Sequence, residues 1–378
     1  MELEKRNGVT PILVQKVILH EHPDLDAIGA YWLAKTFSQI GFLGIEDAPI
    51  EFWPQGAPPD GKTAEEHEKE GTVCFDVAEG RFDHHPHGKC PDKCAADLVA
   101  EFLGVRDDQS LKNLLDYIRM YDLEGPTSLS RRLRDEDYPE EIVRKVSLLE
   151  NQSLANVISN ERSALKNEKS LISRVCRHLS AFYLRQLYFW KEVQEEFKEK
   201  AKFFTVNSGV KSYRVAVIES DLADVGSFSR TKEGGNCDVC IHSMPKLRST
   251  AISGNISSEQ FQEIDNPLRV WEMKRRNITD EYTFADLIES KMPQCTVWYL
   301  PKNTKGEVFI VMNRGKKTFG SETIEPTVLT QDEMCCAVSW GLEDKYSKMC
   351  PRTHCLFHQC DFYPFFFERC RKIRQQTV

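Results

Sequence analysis

Histidines and aspartates crowd the front of the chain in an order that suggests metal chemistry. HEHPDLDAIGA sets His20, Asp24 and Asp26 within seven residues, CFD ends on Asp76, and FDHH closes on Asp83, His84 and His85. Six of the ten histidines in the 378 residues precede position 88. Imidazole with carboxylate is a ligand set for manganese, iron, zinc or magnesium, and the surplus of carboxylate favours the harder ions. There are enough ligands for two ions sharing a bridging carboxylate. Such a pair lowers the pKa of a water and clamps a phosphoryl group during in-line attack, so phosphoester hydrolysis is the fitting reaction. Any one of these residues alone reads as a cap or turn at a strand end. The ordered set does not, because like charges gathered at strand ends repel.

The elements that must position these residues follow the same order. ILVQKVIL, 12–19, reads as one buried strand, and DAIGAYWLAKTFSQIG as a helix whose Ile28, Trp32, Leu33 and Phe37 share a face. Strands at 49–53 and 71–75 and helices near 94–103 and 108–121 continue the alternation, predicting a parallel sheet covered by helices. The charged loops then lie at the carboxyl ends of strands, where such sheets bind ligands. From Pro139 to about Lys202 the pattern is helical, predicting two long helices joined near Asn167 as a connector. SYRVAVIESD, 212–221, opens a smaller α/β unit with strands in CDVCIHS, RSTAISG, CTVWYL and EVFIVM and helices near 257–275 and 284–290. The expected layout is 1–138 metal-binding, 139–203 helical connector, 204–333 C-terminal α/β and 334–378 cysteine-rich tail.

Composition narrows the class. With 40% hydrophobic and 29% charged residues the chain is ordinary for a soluble globular protein. MELEKRNG lacks the apolar core of a signal peptide, and no apolar run approaches the roughly 18 residues of a membrane span, so a cytoplasmic protein without a membrane partner is expected. A net charge of −8 disfavours long nucleic acid and leaves small anionic ligands open. The thirteen cysteines are expected as reduced thiols, six of them between Cys335 and Cys370.

HEHPDLDAIGA, CFD and FDHH together resemble, in order and spacing, the motifs of the DHH phosphoesterase superfamily. That resemblance implies two divalent ions, manganese favoured and magnesium, iron or zinc as alternatives. It implies that His20, Asp24 and Asp76 hold one ion, and Asp26, Asp76, His84 and a later aspartate the other, with Asp76 as the bridge. Asp122 in IRMYDLEGP, near a helix end stopped by Gly125 and Pro126, takes the place of the later aspartate. His85 would face the substrate phosphate to orient or protonate it, and Asp83, its companion in the catalytic pair, would fix a histidine tautomer. His22 and His87 read as loop residues and His67 as a solvated helix residue.

The second half departs from the family's glycine-rich substrate motif. EGGNCDVCIHSMPKLRST, 233–250, offers Gly234 and Gly235 for a close backbone approach to phosphate and His242 or Arg248 to reach it. A hairpin turn accounts equally well for the glycines. Cys237 and Cys240 read as strand residues rather than ligands. The stretch from WYLPKN to LTQDE resembles the rear part of uncharacterised bacterial DHH-like proteins. In the tail, Cys350, Cys355, Cys360 and Cys370 read either as ligands of zinc or an iron–sulfur cluster or as packing residues. FYPFFF is too apolar to stay exposed, which leaves a homodimer open.

The expected function is hydrolysis of a phosphodiester in a small nucleotide, a short oligonucleotide or cyclic dinucleotide, by a water activated between two metals. A pyrophosphatase or polyphosphatase of the same fold, a non-catalytic nucleotide-binding protein and an iron–sulfur protein are the alternatives. Against the first, the second domain offers few cations beyond Lys232, Lys246 and Arg248; against the second, the ligand set is complete.

Overall fold

The expected first strand breaks in two. In the computed structural model, which describes residues 8–85, 91–165, 167–209, 211–277, 297–313 and 325–342, β1 (Ile12–Leu13) pairs in parallel with β3 (Phe42–Leu43). The chain then bends, Val14 N–H donating to Leu43 and Gln15 N–H to Gly71. After the bend β2 (Lys16–His20) enters a different sheet, with β4 (Ile50–Trp53) and β5 (Thr72–Phe75) in parallel on either side. The bend changes the partner of the chain without breaking its apolar run, which is why periodicity alone missed it.

Two compact units divide the chain, Met1–Trp190 and Lys191–Val378. The first is built on that parallel sheet. Its α1 (Leu25–Thr36) is buried from Leu25 to Ala34, as suits a helix that is apolar nearly all round. Gly29 is the close-approach point: a Cβ there would stand 2.8 Å from Ile118 of α5 (Gln109–Glu124). The short α2 (Ser38–Gly41), α3 (Ala64–Lys69) and α4 (Ala95–Phe102) complete the expected alternation. His67 in α3, expected to be solvated, is buried instead, with Nε2 3.0 Å from Asp60 and its ring edge-on to Trp53.

The helical stretch splits between the units. In the first lie α6 (Ser128–Asp135), α7 (Glu140–Asn151), α8 (Leu154–Leu165) and α9 (Glu168–Leu187). The first long helix of the expected pair is two, because Tyr117 Oη takes the Leu154 N–H and Ser153 Oγ the Asn156 N–H, starting α8 afresh. Ile158 of α8 and Leu171, Val175 and Leu179 of α9 join the core under α1.

The second unit holds a six-stranded mixed sheet in the order β10-β11-β9-β8-β7-β6. Its strands are β6 (Lys202–Asn207), β7 (Ser212–Glu219), β8 (Val239–Met244), β9 (Ser249–Gly254), β10 (Trp298–Tyr299) and β11 (Ile310–Asn313). Only β7 and β8 pair in parallel. Among the described residues its α-helices are α10 (Gln194–Lys200), α11 (Val225–Phe228), α12 (Ser258–Arg275) and α13 (Gln331–Leu342). Phe261, Ile264 and Leu268 of α12 and Met334, Ala337 and Val338 of α13 pack into the core of this sheet. Both units are mixtures of helix and strand.

Candidate metal centre

Two strand-end loops, after β2 and β5, and the end of helix α5 converge in the first unit. His20 is the last residue of β2, and its Nδ1 lies 2.8 Å from the Glu21 carbonyl, which turns Nε2 toward the carboxylates. Asp24 caps α1, with Oδ1 accepting from the Asp26 and Ala27 amides at 2.9 and 3.0 Å. Asp26, one turn in, is fully enclosed; its carboxylate accepts from the Ala95 and Ala96 amides at the start of α4, at 2.6 and 2.9 Å.

Asp76 follows β5 in the left-handed region, at φ 56°, and Ala78 and Glu79 share that conformation. Asp83 braces this loop. Its carboxylate accepts from the Glu79 amide at 2.9 Å and the His85 amide at 3.0 Å, and lies 3.1 Å from His85 Nδ1. Asp122 comes from the last turn of α5, whose end is set by Gly125 at φ 87°.

The side chains meet as three overlapping groups: His20, Asp24 and Asp76; Asp26, His84 and Asp122; Asp76, His84 and His85. Within each, one ligand atom per residue lies within 4.8 Å of the others. His20 Nε2 stands 3.5 Å from Asp76 Oδ2, and His84 Nε2 stands 3.5 Å from Asp76 Oδ1 and 3.3 Å from Asp122 Oδ2. Yet His20 Nε2, Asp76 Oδ1, His84 Nε2 and Asp122 Oδ2 are buried without an aligned hydrogen bond. Orphaned buried atoms of this kind are costly unless a further group satisfies them. Four carboxylates and two histidines aimed at one another fit divalent cations, the donor set being rich in oxygen with imidazole at each side.

The electrostatics say the same for the metal-free protein. Burial and then the charges of Asp76 and Asp122 hold Asp26 well above the usual carboxylate range. Burial, followed by Asp24 and Asp76, raises Asp122 to about 7. Burial opposes charge on His20, but the carboxylates of Asp24 and Asp76 together outweigh it and push the ring up to about 10. The Asp76 carboxylate pushes half-exposed His85 up to about 9 against its partial burial, while burial lowers His84. The cluster thus collects protons where it lacks cations.

The residues expected to bind substrate in the second unit are not gathered together. Gly234 sits where a Cβ would meet the Phe228 carbonyl at 1.9 Å, and Gly235, at φ 92°, lies against Arg214. Both are required by their turn. Arg248 is exposed in the β8–β9 turn at φ 49°. His242 is buried, donates Nε2–H to the Ser220 carbonyl at 2.8 Å and is kept neutral by burial. It lines a cavity of about 440 Å³ with Arg230, Ser227, Ser253 and Phe309. Arg230, unmarked in the sequence, stands 3.4 Å from Ser253 Oγ and 3.3 Å from Ser227 Oγ. Cys350, Cys355, Cys360, Cys370 and His87 lie outside the described residues.

A second cavity, of about 240 Å³, adjoins the metal cluster, with Asp24, Asp26 and Asp122 on one side and Asn156, Ser159 and Arg162 of α8 on the other. Arg162 had no signal in the sequence, since its partner Pro23 is 139 residues away. Among the described residues no helix is long and apolar enough to cross a membrane.

Comparison with solved structures finds a protein from Methanococcus jannaschii described as a family II inorganic pyrophosphatase. The likeness has 13% identity and a TM-score of 0.17 over 85% of this chain and 99% of that one, too faint to carry an argument. No family model matches the chain, and no curated protein matches it.

Proposed function

We propose that the chain is a metal-dependent phosphohydrolase acting on a phosphodiester of a small nucleotide, a short oligonucleotide or cyclic dinucleotide. The observation that carries this reading is the set of four buried, orphaned ligand atoms on His20, Asp76, His84 and Asp122. His20, Asp24 and Asp76 would hold one divalent ion and Asp26, Asp76, His84 and Asp122 the other. The pair, when bound, supplies Lewis acidity that lowers the pKa of a water and neutralises charge on the phosphoryl oxygens.

The remaining work belongs to the side chains. Asp76, buried in its left-handed loop, faces both His20 and His84 and would serve both ligand sets. His85, held at Nδ1 by Asp83, would present its other ring nitrogen to a phosphoryl or leaving oxygen beside Asp76. Taken by itself, the Arg230 cavity of the second unit has groups that suit a nucleotide: a guanidinium and two hydroxyls suit phosphate, and the exposed Phe309 ring suits stacking on a base.

The test is product release from a panel of dinucleotides, cyclic dinucleotides and pyrophosphate with manganese present. Cleavage of a dinucleotide or cyclic dinucleotide is expected, and Asp76→Ala should reduce it by about 10³-fold or more. Turnover of pyrophosphate alone would move the substrate, and full activity in Asp76→Ala would refute the centre.

A further inference from the structure

Asp24 is the odd member of the cluster. Its side chain is 54% exposed, against 5% for His20 and 1% for Asp76. Packing therefore fixes its neighbours, whereas Asp24 is held by its two cap hydrogen bonds to α1 and by the backbone of the loop that carries it. In that loop His22 holds φ 58°, a left-handed conformation uncommon outside glycine, which contacts from the rest of the fold help to impose.

The imposing contacts come from the corner between α8 and α9. Arg162 donates from one terminal nitrogen to the Pro23 carbonyl at 2.5 Å. Its Nε donates to both oxygens of Glu168, at 3.0 and 3.3 Å. Glu168 in turn lies 3.1 Å from His22 Nδ1. Glu168 opens α9 behind the Asn167 cap, where a carboxylate is favoured by the helix end. One corner thus grips two consecutive residues immediately before Asp24, and Arg162 also lines the cavity beside it.

We propose that Arg162 and Glu168 are positioning residues for Asp24, forming a latch that holds one of the two cation sites in register. The proposal rests on the reading of the cluster as a metal centre. The latch touches only the loop of Asp24; Asp26 is fixed by the α4 amides and Asp76 by its own loop. Its loss should therefore be felt unequally by the two sites. Groups that orient a ligand from behind typically change metal affinity by about 10–100-fold.

The experiment is a calorimetric titration of the metal-free full chain with Mn²⁺, alongside thermal melting of the same samples. Wild type is expected to bind two ions. Arg162→Ala should weaken one binding event by about 10–100-fold and leave the other within about threefold. Arg162→Lys should recover part of the loss, since an ammonium reaches the Pro23 carbonyl but cannot also form the fork with Glu168. Glu168→Gln should fall between Arg162→Ala and wild type. The latch is overturned if Arg162→Ala and Glu168→Gln bind both ions as wild type does. Equal weakening of both events with a matching drop in melting temperature also overturns it, since that marks a merely structural role. Absence of ion binding in wild type would instead remove the metal centre itself, and the latch with it.

Discussion

Two clusters of buried charge, one in each unit, are built in opposite ways. In the second unit Arg269 of α12 is 1% exposed, paired with Asp265 at 2.5 Å and donating to the Trp298 carbonyl at 2.9 Å. Glu272, wholly buried, accepts from Thr327 at 2.6 Å, from the Val328 amide at 3.0 Å, and from Arg276 at 2.9 Å. Opposite charges meet there, and the result is a tie between α12 and the segment leading into α13. In the first unit Asp24, Asp26, Asp76 and Asp122 face one another, and the histidines between them leave buried atoms without aligned partners. Burial of charge by itself separates nothing; the sign and satisfaction of the neighbours do. A paired network holds a fold together, whereas a crowd of like charges is relieved only by protons or by a cation that it could bind.

That contrast is breakable. The largest effect is expected from Asp76→Ala, a loss of about 10³-fold or more in turnover with little change in the metal-free melting temperature, read by steady-state kinetics and thermal melting. Arg269→Met should do the reverse. It strands Asp265, whose carboxyl burial already raises, and should destabilise the protein by about 3–5 kcal/mol in urea unfolding without changing the number of ions bound.

Asp122→Asn should change sign with the metal. Without ions at pH 8 it removes a carboxylate that burial and its neighbours oppose, and should stabilise the protein on the order of 1–3 kcal/mol. With Mn²⁺ the variant should become the less stable of the two, because a ligand has gone. Thermal melts with and without metal check both signs; equal shifts in the two conditions would make Asp122 an ordinary buried acid.

The smallest effect is in pH. Asp122 is raised from 3.8 to about 7 in the folded state, so the folded metal-free protein binds this proton more tightly than the unfolded chain. The resulting stability is full below about 4 and is lost as pH rises through about 7. Mn²⁺ affinity should run the other way, tightening as pH rises through about 7 and on toward the His20 value of about 10, with protons released on binding. Calorimetry in two buffers of different ionisation enthalpy would measure that release.

The residues that meet in the cluster were legible in the sequence because each lies within a few residues of a strand end or helix end, where type and spacing carry the information. The first-unit helices α4 and α5 were legible from periodicity for the same reason. What escaped was long-range. The bend at Val14 depends on Leu43 and Gly71, the burial of His67 on Asp60 and Trp53, and the role of Arg162 on a carbonyl far along the chain. Gly234 and Gly235 suggested a phosphate cradle because a conformational need and a ligand need leave the same glycines behind; the contact with the Phe228 carbonyl shows which need applies to Gly234. Arg230 went unnoticed because its hydroxyl partner Ser253 comes from a strand 23 residues away.

The most direct measurement of the metal centre is anomalous scattering from crystals of the full chain soaked in Mn²⁺. Two peaks are expected, one among His20, Asp24 and Asp76 and one among Asp26, Asp76, His84 and Asp122, both absent in Asp76→Ala. No peak at these residues in the wild-type protein would contradict the two-ion centre.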